Sequence, residues 1–193
     1  MKDRLKMEII KTAKELLGEG KDLRHITMQL IAKRMDITAP TLYHYFKGKE
    51  EIIHLSIELI ADELLETFEK PFPASMNAEM RLKMHIVTLM SYLYKNIDSF
   101  SLIFSDTGIG YWGSGEIKVT EKIKKFRGLL EEQVGQFLKS EKLSFDSLKA
   151  TYLLISLMMG SLRYYKSQKI KGADISKEAE VVFEFFVSGL RRG

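Results

Sequence analysis

The chain has 193 residues, of which 45% are apolar and 29% are charged, and its formal net charge is +4. It contains no cysteine, which excludes disulfides, thiolate catalysis and zinc sites built from cysteine. The first residues are charged at once, and the longest apolar stretch, residues 152–162, is too short to cross a bilayer. We therefore expect a cytoplasmic protein without a membrane span.

The excess positive charge lies in the first quarter of the chain. Residues 1–50 contain 11 Lys and Arg against 7 Asp and Glu, whereas residues 51–193 contain 19 of each kind. Such an excess favours phosphate binding, although uneven charge on a solvated surface would give the same count.

Helical periodicity runs through most of the chain, and no segment alternates as a strand. Apolar residues recur at helical spacing in the first helix, which we expect to end at Gly18 and Gly20, and Thr27 is placed to cap the second. Pro71 and Pro73 end the fourth. We predict an all-α fold of about nine helices, over residues 2–18, 27–35, from 38, 48–70, 76–95, 97–106, 115–140, 145–168 and 176–191.

Residues 38–49 predict a very short helix with two different faces. Leu42, Tyr45 and Phe46 share one side by i, i+3, i+4 spacing, whereas Tyr43 and His44 fall on the other. A helix this short is not stable alone in water, so the first two helices must pack against its apolar side. Together with the minimal turn at residues 36–37, this spacing indicates a helix–turn–helix unit, with Thr38 as the cap of its second helix.

The later helices include two segments without any charged residue, 84–94 and 150–162. A helix that is apolar on all sides must be covered on all sides, so we expect these to be the central helices of a C-terminal bundle. Residues 107–115 contain four glycines and two aromatic residues and predict a mobile loop.

Residues 5–55 resemble the N-terminal DNA-binding domain of TetR-type transcriptional regulators. The resemblance is carried by the stripe of the first helix, by Thr27, and above all by Leu42-Tyr43-His44-Tyr45-Phe46 followed by Lys47-Gly48-Lys49. Two positions depart from it. The family often has Gly-Val-Ser in the turn, where this chain has residues 36–38, and a small residue where it has Pro40. Operator preference therefore cannot be carried over.

The resemblance implies a DNA-binding domain over residues 1–47 and a ligand-binding and dimerisation domain over 48–193, with the helix at 48–70 as connector. It also implies a homodimer that binds a palindromic double-stranded operator, by default as a repressor released by a ligand. Thr27, as the start of a helix, is expected to contact phosphate with its hydroxyl and amide. The candidate DNA contacts are Thr27, Thr38, Ala39, Pro40, Thr41, Tyr43, His44 and Lys49.

A pocket and a dimer interface are expected in the C-terminal part. Aromatic and methionine side chains with a few hydroxyls suit a bulky apolar effector, aromatic or acyl. The candidate lining is Met84, His85, Thr88, Ser91, Tyr92, Phe100, Phe104, Tyr111, Trp112, Tyr152, Met158, Met159 and Tyr165. Plain core packing is the competing interpretation for each of them. The candidate dimer interface is Tyr152, Ile155, Met159, Leu162, Val182, Phe185, Phe186 and Gly189.

An enzyme is the main alternative of another class, but no catalytic or phosphate-binding motif is present. His54 and Glu58 have the i, i+4 spacing of a metal pair, yet two ligands do not make a site, so we predict no metal, no cofactor and no catalysis. A third possibility is a helical small-molecule or lipid-binding protein without DNA function. DNA binding with strong salt dependence separates it from the regulator.

Overall fold

The computed structural model describes residues 2–19, 25–73, 75–104, 121–168 and 174–192, with backbone alone over 98–104. All regular structure in these ranges is helical. In chain order the helices are α1 (Lys2–Gly18), α2 (Met28–Arg34), α3 (Ala39–Tyr43), α4 (Lys49–Phe68), α5 (Ala78–Phe104), α6 (Glu121–Ser140), α7 (Ser147–Ser167) and α8 (Ile175–Arg192). The all-α prediction is confirmed. The predicted loop at residues 107–115 and Gly20 lie outside the described residues.

The helix α5 consists of two helices joined across a kink, which agrees with the two helices predicted at 76–95 and 97–106. The break expected between them is a single non-helical residue, Asn96, with φ −119° and ψ 15°. It separates the first helix of α5 from the second.

Two compact units divide the described chain. The first contains α1, α2, α3 and α4 as far as Glu63, together with α5 from Asn96. The second contains the end of α4 from Leu64, α5 as far as Lys95, and α6, α7 and α8. Both α4 and α5 therefore belong partly to each unit.

The core of the first unit is built from apolar stripes of α1, α2 and α4. Ile9, Ala13 and Leu16 follow one another at helical spacing on α1 and are completely buried, as are Ile31 on α2 and Ile52 on α4. This spacing gives α1 one continuous apolar face, so burying it also orients the helix. On the rim of the same unit, Lys14 pairs with Glu63.

The turn between α2 and α3 is closed by backbone hydrogen bonds of the Schellman type. The Ile37 amide donates to the Ala32 carbonyl at 3.0 Å, and the Asp36 amide donates to the Lys33 carbonyl at 3.3 Å. Asp36 lies between them with φ 54°, in the left-handed region that glycine adopts at lowest cost. This backbone reversal sets the angle at which α3 leaves α2.

The core of the second unit is formed by α5, α6, α7 and α8 together with the end of α4. Each of these helices buries one face, with Phe137, Leu154 and Ala179 among the completely buried residues. The charge-free segment of α7 was expected to be covered on all sides, and within one chain it is not. Tyr152, Leu153 and Leu157 are among its large side chains that are exposed to solvent. None of the described helices is both long enough and apolar enough to cross a membrane.

Candidate functional site

The short helix α3 has the two faces predicted from its sequence. Leu42 and Phe46 are buried and Tyr45 packs against the same core, whereas Tyr43 is 56% exposed and His44 is also exposed. Main-chain bonds from Tyr45 and Phe46 to the Leu42 carbonyl continue the turn beyond the end of the helix. The apolar side therefore anchors α3, and the tyrosine and histidine face solvent from a supported position.

Thr27 caps α2 as predicted. Its hydroxyl oxygen accepts a hydrogen bond from the Leu30 amide at 3.1 Å, and its backbone is extended as a capping residue requires. The hydroxyl proton is not used by this bond. Thr27 can therefore cap the helix and still donate to a phosphate oxygen.

Thr38 lies at the N-cap position of α3, but the predicted capping bond is absent. Its side chain makes no bond to the helix backbone, and its Oγ1 lies 2.9 Å from Oγ1 of Thr41 instead. The two hydroxyls are brought together because they are three residues apart on the first turn. The hydroxyl that was expected to stabilise the helix end is thus part of the exposed surface.

The other candidate contacts differ in accessibility. Pro40 is exposed in the first turn of α3, whereas Ala39 is half-buried and packs partly against the core. Thr41 and Lys49 are half-buried. Near them, the Lys6 ammonium lies 5.5 Å from the centre of the Phe46 ring. The cation also adds positive charge beside α3.

A charged side chain organises the entry into α4. The Glu51 carboxylate accepts a hydrogen bond from the Lys47 amide at 2.7 Å, which holds the segment after α3 against the first turn of α4. Two acidic residues, Glu50 and Glu51, occupy that turn, where the helix dipole favours negative charge. The orientation of α3 is thereby tied to the start of α4.

The capped helix α2, the closed turn and the short helix α3 follow one another directly. The apolar side of α3 is buried and its polar side is exposed. This arrangement defines a helix–turn–helix DNA-binding protein. Residues 9–55 match the sequence model described as bacterial regulatory proteins, tetR family. Residues 9–55 therefore form a DNA-binding domain of the tetR family, and this chain is a DNA-binding transcriptional regulator.

Individual relatives are distant. A nucleoid occlusion factor, SlmA, of Marinomonas sp. (strain MWYL1) is 19% identical over 170 residues, which cover 85% of this chain and 84% of that protein. The fatty acid degradation regulator FadR of Bacillus halodurans has 16% identity and a TM-score of 0.76 over 96% of each chain. FadR of Bacillus subtilis in complex with stearoyl-CoA has 18% identity and a TM-score of 0.65 over 95% of this chain and 98% of that one. At these identities the likeness concerns the fold.

Of the thirteen candidate pocket residues, nine have side chains that the structure describes, and these nine differ in burial. Tyr111 and Trp112 lie outside the described residues, and of Phe100 and Phe104 only the backbone is described. Met84 and Tyr152 are exposed, because they lie on the solvent side of α5 and α7, whereas Met158 is buried in the core. The remaining half-buried candidates are Thr88, Ser91, Tyr92, Met159 and Tyr165. Tyr165 donates a hydrogen bond to Glu178, which raises the pKa of its phenol.

His85 is the one candidate that borders a cavity found in the second unit. This cavity measures about 420 Å³ and lies between the end of α4, the following segment, α5 and α6. Its lining residues are Phe68, Glu69, Lys70, Pro71, Phe72, Arg81, His85, Leu129 and Gln133. Periodicity did not identify this site, because half of its wall comes from the irregular residues after α4.

The His85 ring is held between two aromatic side chains. It stacks on Phe68 with ring centroids 4.1 Å apart and meets the edge of Phe72 at 4.7 Å. Burial, followed by the positive charge of Arg81, lowers the pKa of His85 to about 4. The imidazole is therefore neutral near pH 7.

The candidate dimer residues combine two faces of α7 and α8. Tyr152 and Phe185 are exposed, at 49% and 71%, whereas Leu162, Val182 and Phe186 are buried in the core of their own unit. Ile155 and Met159 are half-buried, and Gly189 is exposed. The dimer interface stays a prediction. The large apolar residues on the exposed face are Leu148, Tyr152, Leu153, Leu157, Tyr164, Val181 and Phe185.

Proposed function

We propose that this chain is a homodimeric cytoplasmic repressor that binds a palindromic operator and leaves it when a bulky apolar effector binds. In this proposal residues 1–47 bind DNA, residues 48–193 bind the effector and the second subunit, and α4 connects them. The chain acts by binding and not by catalysis. The observation that carries the proposal is the exposed polar face of α3 on a buried apolar support.

Tyr43 and His44 are the side chains best placed to meet DNA, since both extend from α3 into solvent. A phenol can donate to a phosphate and pack against a sugar, and an imidazole can donate to a phosphate or a purine edge. Thr27 and Lys49 supply further phosphate contacts, and the pair Thr38 and Thr41 faces the groove. Phosphate contacts orient such a module, and base contacts give it specificity.

Dimerisation is supported by the exposed apolar face of α7 and α8. Seven large apolar side chains, named above, lie on this face, and such a surface is unusual in a chain that works alone. Two copies related by a two-fold axis would cover it with the same surface of the partner. A two-fold dimer would also present two α3 helices to half-sites about 34–36 Å apart.

An acyl-type effector is supported by the likeness in fold to FadR of Bacillus subtilis, which was solved with stearoyl-CoA. An effector shifts the DNA-binding equilibrium only by its differential affinity for the two states of the protein. We propose that the end of α4 differs between these states, since α4 follows directly after α3.

The decisive experiment is fluorescence anisotropy with labelled DNA from upstream of the gene, repeated over a salt series and with a scrambled duplex of equal length. We expect preferential binding of the upstream DNA. The logarithm of the affinity should fall with the logarithm of the salt concentration, with a slope of about −0.9 per phosphate contact. Equal binding to both duplexes contradicts operator recognition. Effector binding without DNA binding at any salt would instead support a helical small-molecule or lipid-binding protein.

A further inference from the structure

Among the described residues, Arg81 lacks the carboxylate partner that Arg34 and Arg191 have. Arg34 pairs with Glu19, and Arg191 pairs with Glu79 and Glu141. Arg81 is half-buried, yet its only hydrogen bond is from Nη2 to the Met76 carbonyl at 3.1 Å. In the described part of the chain no carboxylate pairs with it. A buried cation normally has a partner, because desolvating an unpaired charge is costly.

The Nε atom of Arg81 is a buried donor without a hydrogen-bond partner in the described part of the chain. It is closed off from solvent, and it has no hydrogen-bond acceptor among the described atoms. Leaving such a donor unsatisfied costs free energy that an acceptor would recover. A carboxylate that forms two parallel hydrogen bonds with the guanidinium would supply an acceptor to Nε and to one Nη.

The rest of the cavity wall defines the kind of anion. His85 follows Arg81 by four residues on the same helix, and it is neutral at pH 7. Glu69 is neutralised in part by Lys125, whose Nζ lies 2.7 Å from its carboxylate. Since Glu69 is paired and Lys70 is exposed, Arg81 is the half-buried cation of this wall. A single negative charge matches this wall better than the two charges of a phosphate.

The remaining lining is largely apolar. Phe68, Phe72 and Leu129 give it hydrocarbon and aromatic surface, and Gln133 adds one amide. A volume of about 420 Å³ lies within the usual range for small-molecule sites. The cavity therefore combines one unpaired guanidinium with an apolar wall.

We propose that this cavity binds an amphiphilic monocarboxylate, with its carboxylate on the Arg81 guanidinium and its apolar part against Phe68 and Phe72. A planar guanidinium donates two parallel hydrogen bonds to a carboxylate, which a lysine cannot do. The ligand would contact Phe68, the last residue of α4. Its effect on DNA rests on the proposed function, whereas its binding does not.

The test uses the full chain and two probes of equal chain length, sodium decanoate and decan-1-ol. Binding is followed by calorimetry and by the NMR resonances of the histidine rings. Decanoate should shift the His85 resonances and leave those of His25, His44 and His54 unchanged. Decanol, which lacks the carboxylate, should bind more weakly.

Arg81→Met should weaken decanoate binding at least about tenfold and leave decanol binding unchanged, because a charge-assisted hydrogen bond is lost. Arg81→Lys, which keeps the charge without the planar fork, should be intermediate. Lys139→Met removes an exposed cation of the same unit and should have no effect. Thermal melting of the empty Arg81→Met variant controls for folding, and only a small decrease in melting temperature is expected, because Nη2 loses its bond to the Met76 carbonyl whereas Nε has no acceptor to lose.

Three results would overturn the site: no decanoate binding, equal decanoate affinity in the wild type and Arg81→Met, or shifts at other histidines without a shift at His85. Adding decanoate to the DNA complex separates the two proposals. If decanoate shifts the His85 resonances but does not release DNA, the binding site is supported and its regulatory role is contradicted. If decanoate shifts the His85 resonances and the protein recognises no operator, the binding site is supported and the proposed repressor function is contradicted.

Discussion

The hydroxyl of Ser56 on α4 lies 3.0 Å from the carbonyl oxygen of Ile10 on α1. It also lies 2.8 Å from the Ile52 carbonyl of its own helix, and the whole side chain is buried. Buried serine is uncommon in a helix–helix contact, and here it joins the connector helix to the first helix of the DNA-binding unit.

Replacing Ser56 by alanine should lower the free energy of unfolding by about 1 kcal/mol, because one buried hydrogen bond is lost. Urea unfolding measures the change. Ser167→Ala is the control, because the Ser167 hydroxyl donates to a carbonyl of the same helix at an exposed position. This variant should leave the free energy of unfolding nearly unchanged. Equal effects of both variants would show that the Ile10 contact is not stabilising.

Tyr43 and Tyr45 form a matched pair on α3, because one is exposed and the other packs against the core. Tyr43→Ala should abolish binding to the upstream DNA and leave the unfolding midpoint nearly unchanged. Tyr45→Ala should destabilise the fold by about 2 kcal/mol or more through lost burial. Anisotropy and urea unfolding measure both quantities. Loss of stability in Tyr43→Ala would mean that the face assignment is wrong.

Phe185 is the most exposed large apolar side chain of α8. Placing a charge there, in Phe185→Glu, should convert the proposed dimer to a monomer, because a carboxylate would be buried unpaired in a two-fold interface. Light scattering after size exclusion measures the mass. Met7→Glu, at another exposed apolar side chain, should leave the mass unchanged. A dimer that survives Phe185→Glu locates the interface elsewhere.

The lowered pKa of His85 predicts a loss of stability in acid. Its pKa is about 4 in the folded chain and 6.5 in the unfolded chain, so the unfolded state takes up the proton first. Above pH 6.5 the residue contributes no pH dependence. Between pH 6.5 and 4 stability should fall with a limiting slope of about 1.4 kcal/mol per pH unit.

Urea unfolding of the wild type and His85→Gln across this range isolates the contribution. The difference between the two should shrink as the pH falls. Parallel pH profiles for the wild type and His85→Gln would contradict the lowered pKa.

Asp36 has φ 54°, where a Cβ atom is unfavourable. Asp36→Gly should raise the free energy of unfolding by about 1 kcal/mol, and Asp36→Ala should lower it, since alanine has the same strain without the local hydrogen bonding of aspartate. Both are measured by urea unfolding. Destabilisation by glycine would show that the carboxylate matters more than the backbone strain.

The sequence predicted the DNA-binding unit better than the second unit, for a physical reason. Short helices with caps, a two-residue turn and one apolar face each leave local patterns, and Thr27, Leu42 and Tyr43 all lie where those patterns place them. The exception, Thr38, has the residue type of a cap but hydrogen-bonds to another side chain.

In the second unit the buried face of a helix was harder to predict, because some helices are apolar on more than one side. When every face of α7 is apolar, periodicity cannot distinguish the face that meets its own core from the face left exposed. Leu162 and Tyr152 were for this reason placed on one stripe, although one is buried and the other exposed. The cavity beside Arg81 was missed because a missing carboxylate partner is visible only in three dimensions.

The contact between Thr38 and Thr41 has a consequence for how the surface of α3 meets a base edge. Either hydroxyl can be the donor in this contact, and one of the two protons is always used within it. The pair therefore offers a neighbouring molecule one free proton, which can reside on either oxygen. When the direction of the Thr38–Thr41 hydrogen bond is reversed, the free proton moves from one hydroxyl to the other and the backbone stays in place. These two residues can therefore adapt to opposite base-pair orientations.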